Sequence, residues 1–253
     1  MKPFEHYIVT RFNVGLYDPA TRKNPIYLPP DGWMQHRIKL FTTFTLPSIM
    51  GQTCQNFTWL VFMDEQTPEP YRQMLANIPY PNMHLIYISG NGLENQCIAD
   101  ATLRNIRPGD HDLITTRIDN DDAFRADVVE VIQNWYAPRP SPWTIAFPAG
   151  LILDLATKQI FVFTHWYNNC PTLIESAKKA RSVYSWSHCD IPVKVREYIV
   201  DKPYWLQVVH SKNVVNAMTQ QSGSITIHKE IPAELSAVSD FNVDVNKIMN
   251  LEV

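Results

Sequence analysis

The first half of the chain alternates regularly between two kinds of segment, and this constrains the fold more than any other feature. Four short apolar runs rich in β-formers are HYIVTRF (6–12), FTWLVFM (57–63), MHLIYIS (83–89) and DLITTRI (112–118). Helical signatures fill most of the intervals. From Trp33, the apolar positions Trp33, Ile38, Phe41, Phe44 and Leu46 recur near helical spacing, ahead of Pro47. Thr67-Pro68-Glu69 has the form of an N-cap with proline at the first helical position. Residues 94–106 read as a helix stopped by Pro108-Gly109. Residues 124–136 read as another, with Val128, Val129, Ile132 and Trp135 at helical spacing. Residues 13–32, carrying Asn, Gly, Asp and several prolines, read as a loop. Strands alternating with helices imply a mostly parallel sheet, and such sheets bind ligands beyond the carboxyl ends of their strands.

The second half has a different texture. TIAFP (144–148), GLILDL (150–155) and QIFVFTH (159–165) are strands close in sequence. Ala156-Thr157-Lys158 supplies a short turn, so the last two read as an antiparallel hairpin. The sequence predicts a helix over 172–183, a strand WLQVVH (205–210), and one helix IPAELSAVSDF (231–241) in the tail. No linker divides the 253 residues, so a nucleotide-type α/β half and a mixed β half are expected within one domain. With 45% hydrophobic and 19% charged residues, the chain can bury a sizeable core and is not of a disordered type. A formal charge of −3 gives no basic field for nucleic acid. No run approaches 18 apolar residues, and Met1–Thr10 has no signal-peptide pattern, so a cytoplasmic protein is expected. Cys54, Cys97, Cys170 and Cys189 are far apart and read as buried thiols.

Two clusters fall at expected strand ends: Thr10-Arg11-Phe12-Asn13 and Asp119-Asn120-Asp121-Asp122. Three carboxylates in four residues repel one another unless something cationic offsets them. Hard divalent cations such as Mg²⁺ and Mn²⁺ take oxygen ligands and often keep phosphates in their shell. One reading is therefore a D-x-D metal site carrying a nucleotide diphosphate. The other is a solvated loop in which Asp122 caps the following helix. Asp122 is the member that best fits a cap. Arg117, two residues before Asp119, is the nearest cation and can pair with the cluster or with phosphate. Arg11 either binds the nucleotide at the sheet edge or is an ordinary surface arginine.

The set TRFN (10–13), LPSIMGQT (46–53), WLVFMDEQTP (59–68), TTRIDNDDA (115–123) and WLQVVHSKN (205–213) resembles the rhamnosyltransferase family of GT-A-fold, family 2-like glycosyltransferases. The resemblance spans most of residues 6–215. It implies an α/β, GT-A-type nucleotide-binding mixed sheet flanked by helices. It also implies a donor-binding half over about 1–123 and an acceptor half over about 124–222; the tail over 223–253 gets no support from it. The implied reaction moves a sugar, rhamnose by the family's name, from a nucleotide diphosphate sugar to a glycan or glycolipid hydroxyl, with inversion. Under this resemblance Asp119 and Asp121 hold Mn²⁺ or Mg²⁺, His210 completes the metal shell, and Asp64 meets the base or ribose. The pattern departs from the family at Arg104-Asn105, which lies near the end of its helix instead of the start, so no diphosphate role is carried over to it.

An inverting transfer needs a general base for the acceptor hydroxyl. Asp154, Glu175 and Asp190 are available in the second half. Asp190 is favoured because it follows the aromatic-polar stretch Trp186-Ser187-His188-Cys189, whereas Asp154 suits hairpin-turn chemistry. His165 and His188 fit a structural or acceptor-facing place. Trp166, Tyr167 and Trp186 could stack on sugar rings or simply pack. A lipid-linked acceptor would bring the protein to a membrane peripherally. The alternatives are a non-catalytic nucleotide-sugar-binding protein, and a nucleotidyltransferase, for which the single glycine of TRFNVGLYDP argues poorly. A purely structural protein is the least expected, since the acidic cluster would then lack its counter-charge.

Overall fold

A computed structural model describes residues 3–18, 30–90, 92–188, 190–210 and 232–251. Expectations touching part of the 13–32 loop, Cys189, the SKN of 211–213 and the start of the tail lie outside these residues.

Strands β1 (Phe4–Arg11), β2 (Thr58–Asp64), β3 (Met83–Ile88) and β4 (Asp112–Arg117) form the parallel part of a seven-stranded sheet. Both faces of β1, β2 and β4 are covered, which explains why these strands read as near-continuous apolar runs, whereas the edge strand β3 is half-buried. Side chains alternate between the faces. Ile8, Trp59, Val61 and Ile114 enter one core cluster, while Val9, Leu60, Phe62 and Leu113 enter another. The sheet extends through β9 (Thr172–Ser176), β6 (Trp143–Ala146) and β10 (Val195–Tyr198), in the order β10-β6-β9-β4-β1-β2-β3. A second, five-stranded sheet has the order β12-β8-β7-β11-β5. It is built from β5 (Ala123–Phe124), β7 (Ala149–Asp154), β8 (Gln159–Thr164), β11 (Trp205–Val209) and β12 (Pro232–Ala233). The mixed α/β architecture expected from the sequence is the one observed. β7 and β8 are the expected antiparallel hairpin, and the Asp154 carboxylate accepts from Ala156 N and Thr157 Oγ1 across its turn.

The helix from Trp33 does not end ahead of Pro47. Helix α1 (Pro30–Leu40) passes into a π-helical turn, Phe41–Thr45, and then into α2 (Leu46–Met50). Proline lacks an N–H, and its ring collides with the carbonyl four residues back in a regular α-helix. A π turn just before it changes the register and relieves both problems. The same segment serves two cores. Trp33, Met34, Ile38 and Phe41 pack against the large sheet, and Leu40 and Phe44 join the cluster under the small one.

The other helices are α3 (Glu69–Ala76), α4 (Glu94–Leu103), α5 (Val128–Trp135) and α6 (Val245–Met249). Thr67 does not cap α3. Pro68 holds the cap position, and the Thr67 hydroxyl donates to Asp64 O, held by the tighter turn after β2. The helix expected over 172–183 is instead β9 and short 3-10 turns. Thr172, Leu173 and Ile174 fill the gap between β4 and β6, where an extended chain satisfies two neighbours at once and overrides local propensity. Residues 231–241 are not one helix either. From Pro232 the described part is β12, paired with β8, followed by a 3-10 helix, Leu235–Phe241. Of the described cysteines only Cys170 is buried; Cys54 and Cys97 are partly exposed. Among the described residues no helix is long and apolar enough to cross a membrane.

Candidate active site

β1 and β4 are adjacent and parallel, whereas the chain runs from β1 outward to β2 and β3 before returning to β4 on the other side. The carboxyl ends of β1 and β4 therefore flank a point where strand order reverses, the place where open α/β sheets bind ligands. Both sequence clusters meet there. Asn120 Nδ2 donates to Phe12 O at 2.7 Å, which ties the turn after β4 to the loop after β1. Asn13 Oδ1 accepts from Asp64 N (2.9 Å), and its Nδ2 donates to Thr67 Oγ1 (2.9 Å), which adds the turn after β2.

The three acidic residues diverge. Asp119 Oδ1 faces Arg117 (Nη2 at 3.1 Å), and its Oδ2 accepts from Asn169 Nδ2 at 3.2 Å. Asp121 is buried and forms an ion pair with Arg37 Nη1 from α1. The same oxygen, Oδ2, lies 3.1 Å from His210 Nε2, at the end of β11. His210 Nδ1 in turn lies 3.2 Å from His36 Nε2. Arg37 Nη1 also donates to Asn120 Oδ1 at 3.1 Å. Asp122 Oδ1 accepts from Val208 N (3.1 Å) and its Oδ2 from Asn169 Nδ2 (2.7 Å). It is therefore a bridge between the two sheets and not a helix cap; the residue before α5 is Asp127.

The carboxylates differ in charge state accordingly. Burial pushes Asp121 up, but the Arg37 guanidinium and the His210 contact outweigh it and hold its pKa below the usual value. Burial, then the charges of Asp121 and Asp119, raise Asp122 well above the usual value. Arg117 is partly buried, which disfavours its charge, yet Asp119 more than compensates and its pKa is raised. Its guanidinium carbon stands 5.0 Å from the Tyr184 ring centroid. The Tyr184 hydroxyl accepts from Arg11 N at 3.1 Å.

The counter-charge of the cluster is thus internal: Arg117, the nearest cation in sequence, for Asp119, and Arg37 for Asp121. Asp119 faces Arg117 and Asn169, while Asp121 faces Arg37. Both imidazole nitrogens of His210 are engaged, leaving no lone pair aimed at a shared point. Among the described residues, no three His, Cys, Asp or Glu groups could hold a metal ion together. As arranged, Asp119, Asp121 and His210 do not fit a divalent cation.

The remaining candidates are placed as follows. The Asp64 carboxylate accepts from Gly15 N (2.9 Å) and Gln66 N (2.8 Å), which fastens two loops together. Gly15 has φ +82°, a conformation that glycine adopts freely. The Arg11 side chain turns back onto Val14 O. Asp190 is exposed, and its N donates to Ser187 O at 2.9 Å. It is within electrostatic range of His188, whose pKa is lowered by burial first and then by Arg117. Asp119 and His165 also act on His188, so this loop residue belongs to the same surroundings. Arg37, His36, Asn169 and Tyr184 escaped the sequence reading, and Asn120 appeared there only as a member of the acidic turn. Arg37 left one trace: with His36 it puts polar groups into an apolar helical pattern. Asn169 left none.

The chain is similar to several solved structures. TarS 1-349 of S. aureus is 10% identical, over 81% of this chain and 60% of that one, with a TM-score of 0.45. The same protein in complex with UDP-GlcNAc is 11% identical, over 81% and 59%, with a TM-score of 0.46. HddC from Yersinia pseudotuberculosis, complexed with GMP-PN, is 12% identical over 80% and 93%, with a TM-score of 0.43. The chain thus spans about 60% of the TarS chain it resembles. No curated protein sequence matches it. The profile of the family described as "Putative rhamnosyl transferase" matches residues 7–222, which include most of β1, the Asp119–Asp122 turn and His210. That match covers most of the sequence, and the chain belongs to this family.

Proposed function

We propose that the protein is a glycosyltransferase that moves a sugar from a nucleotide diphosphate sugar to a hydroxyl of a glycan or glycolipid acceptor, with inversion. Rhamnose is the sugar that the family description suggests. The observation that carries the reading is the joining of the β1 and β4 ends by Asn120 and Phe12, at the reversal of strand order, with ionised Asp121 and the Arg117–Asp119 pair beside it. Arg117 meets the diphosphate through charge-assisted hydrogen bonds. Asp119 orients Arg117 and offers its partly exposed carboxylate to donor hydroxyls. Arg11 and Asp64 hold the loops that border the donor.

The acceptor hydroxyl needs a base. The reading assigns it to the loop of His188 and Asp190. A lowered pKa keeps the His188 imidazole neutral and able to take a proton near pH 7, and Asp190 stabilises the imidazolium that forms. The Mn²⁺ or Mg²⁺ implied by the resemblance does not fit the residues as arranged, and no step passes through it.

Thermal denaturation with UDP, GDP and dTDP tests the donor class, because a ligand that binds only the native state raises apparent stability. Stabilisation by one of the three is expected. The matching nucleotide sugar, offered with a glycan acceptor, should then yield a product of inverted anomeric configuration. Retention would remove the inverting mechanism, and no stabilisation by any diphosphate would remove the donor class.

A further inference from the structure

The sequence reading put a divalent cation at Asp121. The structure puts a guanidinium there. Arg37 is buried, is ion-paired to Asp121 and donates to Asn120, so it holds two consecutive residues of the acidic turn. Its guanidinium carbon lies 5.3 Å from the Trp33 ring centroid, one helical turn back, which restricts it on a further side. Its Nε is buried without a hydrogen-bond partner. α1 continues through the π turn into both cores, so Arg37 is delivered from a fixed element and not from a mobile loop.

We propose that Arg37 is the built-in cation of this site, standing where a divalent metal would otherwise offset Asp121. The chain then binds a nucleoside diphosphate without added metal. The inference rests on the reading of the site as a donor site for such a diphosphate. The balance of charge supports it. Asp119 is matched by Arg117 and Asp121 by Arg37, and both oxygens of Asp122 accept hydrogen bonds, from Val208 N and Asn169 Nδ2. A dication entering here would find no unmatched carboxylate pair and would be repelled by a fixed guanidinium. The position is fixed by more than charge, because Arg37 Nη1 reaches two acceptors, Asp121 Oδ2 and Asn120 Oδ1. Arg37 acts through Asp121 and Asn120 and is a positioning residue. The charge of the leaving diphosphate falls to the guanidinium of Arg117, and Asp121 stays ionised and fixed beside it.

The test starts with the metal alone. Mn²⁺ is titrated into the full chain and free Mn²⁺ is followed by electron paramagnetic resonance. Wild type is expected to show no stoichiometric site. Arg37→Gln, which leaves Asp121 without its cation, is expected to bind Mn²⁺ about tenfold or more tightly than wild type, and Arg37→Gln/Asp121→Asn should lose that gain. One Mn²⁺ bound tightly by wild type and lost in Asp121→Asn overturns the proposal. Should Arg37→Gln not fold, the wild-type titration decides by itself. The second arm measures stabilisation by UDP, GDP and dTDP in EDTA and in Mn²⁺. Equal shifts support the proposal, and a shift that needs Mn²⁺ overturns it. If no diphosphate binds in either condition, the donor reading has failed and the proposal that depends on it falls too. The Mn²⁺ titration still reports separately whether Arg37 or a metal is the partner of Asp121.

Discussion

Glu175 offers the sharpest test of how the fold holds the loop bearing His188. It lies on β9, nearly buried, and its carboxylate accepts from Arg181 N (3.1 Å) and Ser182 N (2.9 Å). Ser182 sits at φ +75°, a left-handed-side conformation that a serine adopts only when its surroundings impose it. Directly after it come Val183 and Tyr184, both buried against the sheet, and then His188. Replacement of Glu175 by alanine leaves both N–H groups without their acceptor. A buried donor left unsatisfied costs about 1–3 kcal/mol. Ser182 is fully buried and loses the full amount, whereas Arg181 is exposed and recovers part of its bond from water. Together these predict a loss of about 2–4 kcal/mol, or on the order of 10 °C in Tm for a chain of this size. Glutamine keeps one acceptor oxygen and avoids burying a charge. Burial raises the Glu175 pKa in spite of its backbone hydrogen bonds, so Glu175→Gln should cost about 1 kcal/mol or less at neutral pH. Urea denaturation reads the stability, and amide hydrogen exchange over residues 181–188 reads the local effect. Glu175→Ala within about 0.5 kcal/mol of wild type, with unchanged exchange in this segment, would refute the anchoring argument.

Further predictions concern the acidic turn, the small sheet and the base. Asp122 has a raised folded-state pKa, so its ionisation costs the native state nothing below about pH 4 and progressively more as pH rises towards its folded value. Asp122→Asn should therefore gain stability relative to wild type as pH increases, which denaturation midpoints between pH 3.5 and 8 would reveal; a gain that shrinks with pH contradicts the reasoning. Asp121 has the opposite sign: its contribution is lost as pH falls through its lowered pKa. A methyl group on Gly150 would stand 2.2 Å from the buried Trp205 ring, so Gly150→Ala should cost about 1–3 kcal/mol by overpacking. It should also weaken diphosphate binding, because β11 carries Val208 and His210 to the acidic turn; an unchanged Tm would count against it. If His188 is the base, kcat/KM rises with pH through a pKa below the ordinary histidine value, and His188→Gln abolishes that limb and most of the activity. A limb retained in that variant would exclude His188.

Much of the fold was legible because its signals are local. β1, β2 and β4 are buried on both faces and read as apolar runs, and hairpin β7–β8 announced itself by the short turn at Ala156-Thr157-Lys158. β9 was misread because a strand between two others takes its conformation from its neighbours' unpaired hydrogen bonds, which no local window contains. Pro47 was misread for a related reason: a π turn can carry a helix past a proline when both of its sides are buried.

The chain order of residues was enough to place Asp119–Asp122 at a strand end and to bring it near TRFN, since both follow from strand–helix alternation. It was also enough to mark Arg117, two residues before Asp119, as the nearest cation, able to pair with the cluster or with phosphate. Which charge answers Asp121 was decided only in three dimensions. Arg37 is 84 residues away on a helix, and His210 is 89 residues away at the end of a strand in the other sheet. The pairing depends on α1 packing into the core clusters of both sheets. A charge is expensive to bury alone, so once that packing put Asp121 and Arg37 into the same buried space, they became each other's partners.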